Sequence, residues 1–259
     1  MFDPPSTLLT ASSRNPKFLS QTEEDLLRKT IALAIAGALT LALAAVALAS
    51  DQFSYTFSTT FTQKHPGKST GFKTDIETSD PGAPNGIPKA TNTIVVTFPS
   101  GTKFNWRALP TCAATSTNTA PITSGACNKA KVGTGSSVVQ AAGLGTIPGT
   151  ITAYNAKNAI VFYVNSTLNG TPVPTVLKGT LRGTKLTTNV AAQVPSVAGL
   201  KLVITTFKLN IKPYKKGKKI YATTPKKCTG GKWQVKAHVT FDDGTAGDFT
   251  GPASKCSKK

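Results

Sequence analysis

The ten residues Lys232–Phe241 constrain the fold most. Trp233, Val235, Ala237, Val239 and Phe241 alternate with Lys232, Gln234, Lys236, His238 and Thr240. Strict period-two alternation places every apolar side chain on one face of an extended chain, which a helix of 3.6 residues per turn cannot do. Asp243-Gly244 then reads as a type I′ hairpin turn, whose two central residues both need positive φ, and Ala246–Thr250 reads as the returning strand.

The same signature recurs along the chain. Phe53, Tyr55, Phe57, Thr59 and Phe61 alternate with Ser and Thr, and Phe72, Thr74 and Ile76 suggest a second strand. Ile94–Phe98 is a β-branched and aromatic run that Pro99-Ser100-Gly101 stops. Further strands are expected at Val132–Ala141, Gly149–Tyr154, Val176–Leu181, Leu186–Val194 and Leu202–Ile211. Ala159–Val164 is almost wholly apolar, which is consistent with a strand buried on both faces or a central sandwich strand. The punctuation between them is turn chemistry: Lys64–Gly67, Ser79–Gly86, Asn155–Asn158, Asn165–Pro174 and Gly183-Thr184. Residues 50–259 contain no convincing 3.6-residue period. Roughly ten short, evenly spaced strands predict an all-β fold, an antiparallel β-sandwich of immunoglobulin-like or jelly-roll-like kind. One domain, 50–259, is expected, since neither half has enough large apolar residues for a core of its own.

The first 49 residues read differently. Arg28-Lys29 precede an apolar run, Ile31–Ala49, that ends Ala47-Leu48-Ala49 before Ser50. A positive flank, an apolar stretch and a small-residue cleavage site make residues 30–49 a signal peptide, helical while in the membrane. The rival is an uncleaved anchor, because the run approaches the ~20 residues of a membrane span. The Ala-rich composition and the strand pattern that begins at once after it favour cleavage. Residues 1–29 are polar and acidic for a signal, and read as a poorly ordered extension upstream of the natural start. The protein is therefore expected to be secreted or on the cell surface, membrane-anchored only if residues 30–49 are retained.

Residues 50–259 carry all of the net charge of +19, with 26 Lys and Arg against seven Asp and Glu. They also hold all four cysteines, which in an exported chain read as two disulfides. Of three formal pairings, the local one is preferred: Cys112–Cys127, closing a loop of Thr, Ser, Asn, Ala and Pro too poor in apolar residues to hold itself, and Cys228–Cys256. Zinc is the competing reading and fails, because no two cysteines are spaced C-x-x-C and neither His65 nor His238 lies near a pair. No metal and no cofactor is expected.

Four motifs carry a resemblance: Ile-Val-Val-Thr-Phe-Pro-Ser-Gly-Thr-Lys-Phe (94–104), Leu-Pro-Thr-Cys (109–112), Cys-Asn-Lys-Ala-Lys-Val-Gly-Thr-Gly (127–135) and Cys-x-x-Gly-Lys-Trp with the later Asp-Gly-Thr and Cys (228–256). Over most of 51–256 the chain resembles a group of exported β-rich proteins of high-GC Gram-positive bacteria (actinobacteria) with no known activity. The resemblance implies export, two local disulfides and a β-rich fold, and brings no catalytic residues.

Chemistry-bearing constellations are sparse, and the chain is expected to be a non-enzymatic cell-envelope or extracellular protein, either structural or a weak binder of anionic envelope polymers. Asp75 and Glu77 share a strand face, as a cation site or an acid–base pair would, but an exposed strand face explains them better. Asp242 and Asp243 point apart, and Asp243 is turn chemistry. There is no Gly-x-Ser-x-Gly, His-Glu-x-x-His or Walker loop, and Gly133–Ser137 lacks the Lys and helix of a phosphate cradle. His238 has no visible partner. The strongest binding signal is residues 201–236, with eleven Lys and no acid, and with Tyr214, Tyr221 and Trp233 interleaved. Lys215, Lys216, Lys218 and Lys219 form an exposed basic turn, the candidate contact for an anionic cell-wall polymer or lipid headgroups. The bland reading is a Lys-rich hairpin that keeps an edge soluble. Specific nucleic-acid recognition is not expected, since Lys lacks the bidentate fork of Arg. One alternative is a carbohydrate-binding module stacking sugars on Trp106. Another is an enzyme with a dispersed site.

Overall fold

The computed structural model describes residues 52–168, 170–194, 196 and 201–257. The expected extension (1–29) and signal segment (30–49) lie outside the described residues. What is described is all-β. Eleven strands form one antiparallel sheet: β1 (Ser54–Phe61), β2 (Phe72–Ser79), β3 (Thr91–Thr97), β4 (Lys131–Ala141), β5 (Gly145–Ala156), β6 (Ala159–Leu168), β7 (Thr171–Arg182), β8 (Lys185–Asn189), β9 (Leu202–Ile211), β10 (Lys236–Phe241) and β11 (Ala246–Thr250). Their order across the sheet is β1-β2-β9-β4-β5-β6-β7-β8-β3-β10-β11.

The sheet rolls until its edges meet. Tyr55 of β1 packs on Phe241 of β10 and Phe249 of β11, with ring centroids 5.6 and 4.4 Å apart. A side chain on Gly251, just past β11, would press on the backbone of Ser58 and Thr59. The Phe61 amide donates to Ser254 Oγ at 2.9 Å. The two facing layers are thus made from one continuous sheet, and the meeting edges are covered by aromatic rings and side-chain bonds instead of lying open to further pairing.

Period-two reading of β10 and its approach holds residue by residue. Trp233, Val235, Ala237, Val239 and Phe241 are all buried in the main core, with Lys232, Gln234, Lys236 and His238 exposed. Ala159–Phe162 is buried throughout. Ile160 and Phe162 face the main core. Ala159 and Val161 face a second cluster with Ile122, Ala130 and the Cys112 and Cys127 sulfurs. The stapled loop therefore lies on the outer face of β5–β7, which is why β6 has no polar side at this point.

Several expected turns are corrected. Asn165–Pro174 is not a loop: Asn165–Leu168 and Thr171–Pro174 are paired ends of β6 and β7. Pro172 and Pro174 fit because β8 pairs only with Gly179–Arg182 of β7, so their missing N–H groups fall on an edge without a second neighbour among the described residues. The strand expected over Leu186–Val194 ends at Asn189. Asn155 and Ala156 belong to β5, leaving Lys157-Asn158 as the turn, with Asn158 at φ 50°. At Asp243-Gly244 only Gly244 has positive φ. The Gly244 amide bonds to Phe241 O and the Phe241 amide to Thr245 O, so the connection is a three-residue loop with a glycine bulge, not type I′.

Both local disulfides form, Cys112–Cys127 and Cys228–Cys256. The first closes a 15-residue separation, which restricts the unfolded chain by about 3 kcal/mol. Cys112→Ala with Cys127→Ala is expected to lower the urea-unfolding free energy by about that amount. A loss under 1 kcal/mol would show that the loop holds itself on β5–β7 without the staple.

Candidate functional site: the basic end

Antiparallel register sorts the connections into two ends. One end gathers the loops after β1, β3, β5, β7 and β9, together with the approach to β10 and the exit from β11. It carries Lys64 and Lys68, Lys103 and Arg107, Lys129 and Lys131, Lys157, Arg182 and Lys185, Lys212–Lys219, Lys226 and Lys227, Lys232 and Lys236, and Lys255, with every one of these cationic side chains exposed. Among the described residues no Asp or Glu stands with them. The described acids are elsewhere: Asp75, Glu77 and Asp248 lie along strands, and Asp80, Asp242 and Asp243 lie at the opposite end. All but Asp80 have basic partners there. Lys208 reaches Glu77 at 2.6 Å and Asp75 at 3.6 Å, Lys89 reaches Asp243 at 3.3 Å, and Lys201 pairs with Asp242. The charge of the domain is therefore polarised, with uncompensated cations at one end and ion pairs at the other.

The expected basic turn sits within that end. Lys215-Lys216 pairs with Lys219-Ile220 around Gly217, whose φ of 57° suits glycine. All four lysines are exposed, and Lys216 stands directly opposite Lys219. Like charges facing each other across a ladder are destabilising. Trp106 is brought to the same place. Asn105 donates its amide to Tyr221 O at 2.7 Å, and Phe104 pairs with Ala222. Residues 103–107 thus run beside the chain that leaves the hairpin, and the two candidate contacts become neighbours. Below them Asn155, fully buried, donates its side-chain amide to the carbonyls of Trp106, Leu109 and Pro110. This fixes a loop that has no regular structure of its own. Trp106 is half-buried, and the Arg107 guanidinium lies 5.0 Å from its ring centroid, so one ring face already carries a cation.

Other sequence expectations resolve locally. Tyr221 and Trp233 are buried, 1% and 4% exposed, so they are core residues and offer no surface for stacking. Burial pushes the Tyr221 phenol well above its ordinary value. Asp75 and Glu77 do share a face, but both hold Lys208, whose ammonium is raised by Glu77 first and then Asp75. Asp243 is held below the usual carboxylate range by the Thr245 hydroxyl and amide. His238 has a partner that sequence did not reveal, Asp248 at 2.9 Å across the β10–β11 ladder, on an exposed face. Gly133–Ser137 is mid-strand in β4. Among the described residues no group of three or more His, Cys, Asp or Glu is placed to hold a metal ion, and no helix is long and apolar enough to cross a membrane.

The basic end had a sequence signal wider than the eleven lysines. From Pro81 to Phe241 there is not one Asp or Glu. Only the topology shows that most of the cations of this stretch collect at one end.

No protein-family model matches the chain, and no curated protein matches it. Among solved structures, BcpA*(D312A), the major pilin subunit of Bacillus cereus, is similar over 79% of this chain at 13% identity, with a TM-score of 0.25. The chain spans 40% of that subunit's length. So slight a likeness says nothing about what this chain does.

Proposed function

We propose that this is an exported, non-enzymatic protein of the cell envelope, whose basic end holds an anionic envelope polymer by counter-charge. A single observation carries the reading: an end of the domain with many exposed cations and no acid, on which Lys216 and Lys219 face each other unrelieved. Surface charges are cheap to balance with interspersed acids, and proteins ordinarily mix both signs. Here the described acids lie along strands or at the opposite end, and none stands among the cations of the basic end. An extended polyphosphate-like chain relieves the repulsion along its whole length. A lysine surface suits such a partner, because point charges on flexible stems follow a polymer without demanding a fixed geometry. Membership of the actinobacterial exported group belongs to the same proposal.

The test is co-sedimentation of residues 50–259 with purified cell walls, with and without wall teichoic acid, across a NaCl titration. Binding is expected to need the anionic polymer and to fall steeply between about 0.05 and 0.5 M salt, as the screening length shrinks. Salt-insensitive binding to bare glycan, lost with Trp106→Ala, would replace this reading by the carbohydrate-binding one. Absence of binding under both conditions would sink both.

A further inference from the structure

We infer that the interior of the rolled sheet is a binding site for a single medium-length hydrocarbon chain bearing a carboxylate. The sheet encloses a cavity of about 240 Å³ walled by Ile94, Val96, Phe162, Leu177, Leu186 and Phe207. Protein interiors hold few voids larger than a water molecule. An apolar cavity of 150 Å³ stays dry and takes up benzene, so this one has room for about ten carbon atoms by proportion. Its walls are contributed by β1, β2, β3, β6, β7, β8 and β9, that is, by strands whose inward faces meet one another across the roll. The space is therefore a product of the whole topology and not of one loop.

Among the described residues, the lining at the end opposite the basic end includes Ala191, Ser196 and Lys201, all exposed. Polar residues are in the lining too: Thr74, Thr91, Thr188, Ser196 and Lys201. Lys201 pairs with Asp242 through Oδ2, while Asp242 Oδ1 accepts from the Ala90 amide. An ammonium has three donors, so Lys201 retains capacity for a second carboxylate without giving up Asp242. Apolar walls with one cation at the opening match an amphiphile whose tail enters and whose acid head stays at the rim. The site is separate from the basic end and does not rest on the polymer-binding proposal.

The experiment is titration of residues 50–259 with sodium decanoate, butyrate and decylamine, read by calorimetry and by native mass spectrometry. One decanoate per chain is expected, at least tenfold tighter than butyrate or decylamine. Ile204→Trp, which fills the cavity from β9, should weaken decanoate at least tenfold and leave wall binding unchanged. Lys201→Glu, at an exposed site, should remove the preference for decanoate over decylamine even if the tryptophan variant does not fold. Neutralising Lys215, Lys216, Lys218 and Lys219 should leave decanoate binding as it was. No saturable decanoate binding overturns the inference, as does binding that survives both Ile204→Trp and Lys201→Glu or is lost with the four hairpin lysines.

Discussion

The variant Lys215→Gln, Lys216→Gln, Lys218→Gln, Lys219→Gln is expected to bind an anionic polymer about a thousandfold more weakly at low salt. The figure follows from about 1 kcal/mol for each lysine held near a dense anionic surface, with each 1.4 kcal/mol worth a factor of about ten. The same variant should be at least as stable as the natural chain. The hairpin pairs only with itself, and its four lysines are exposed. Removing the Lys216–Lys219 opposition relieves a cross-strand repulsion of a few tenths of a kcal/mol. This combination, binding lost while the melting temperature holds or rises, distinguishes a contact from a solubilising edge. At about 0.5 M NaCl the two proteins should converge, because screening removes what the substitution removes. An unchanged affinity at low salt would assign the lysines to solubility alone.

How much of this was legible in the sequence depends on the range of the force involved. The core face of Trp233–Phe241 was readable because alternation is a local property, and burial acts on each residue through its own face. Burial of Ala159–Phe162 on both sides was readable for the same reason, although its cause, the stapled loop lying on β5–β7, was not. Proline misled at Asn165–Pro174. It marks a turn only where both sides of a strand must donate, and there one side of β7 has no neighbour among the described residues. Asp243-Gly244 was legible as a turn but not by type. Thr245 takes Asp243 as its acceptor through both amide and hydroxyl, and that favours the longer loop. The meeting of Trp106 with the lysine turn, and the gathering of cations at an end without described acids, are consequences of strand order. Nothing in a linear pattern encodes which loops share an end.

Gly135→Val is expected to prevent folding, and Gly135→Ala to cost about 3 kcal/mol, at the upper end of what overpacking usually does. Sequence suggests only a small-residue strand here. In the structure, a methyl group on Gly135 would overlap the Lys208 carbonyl oxygen and stand 3.0 Å from the Leu209 Cα. Both obstacles are backbone, so no rotamer change relieves them. β9 would have to move away from β4, yet it is fixed on its other side by β2 over Thr206–Ile211, and its Leu209 and Ile211 are in the main core. Separation would also pull Lys208 from Asp75 and Glu77. Gly143 supplies the comparison. It has open space around it but a φ of 72°, so alanine there costs only the left-handed strain of about 1 kcal/mol. Urea unfolding of the two alanine variants separates crowding from conformation. If Gly135→Ala is no worse than Gly143→Ala, then β4 and β9 are not as close as the structure places them, and the polar face they share with β2 is wider than described.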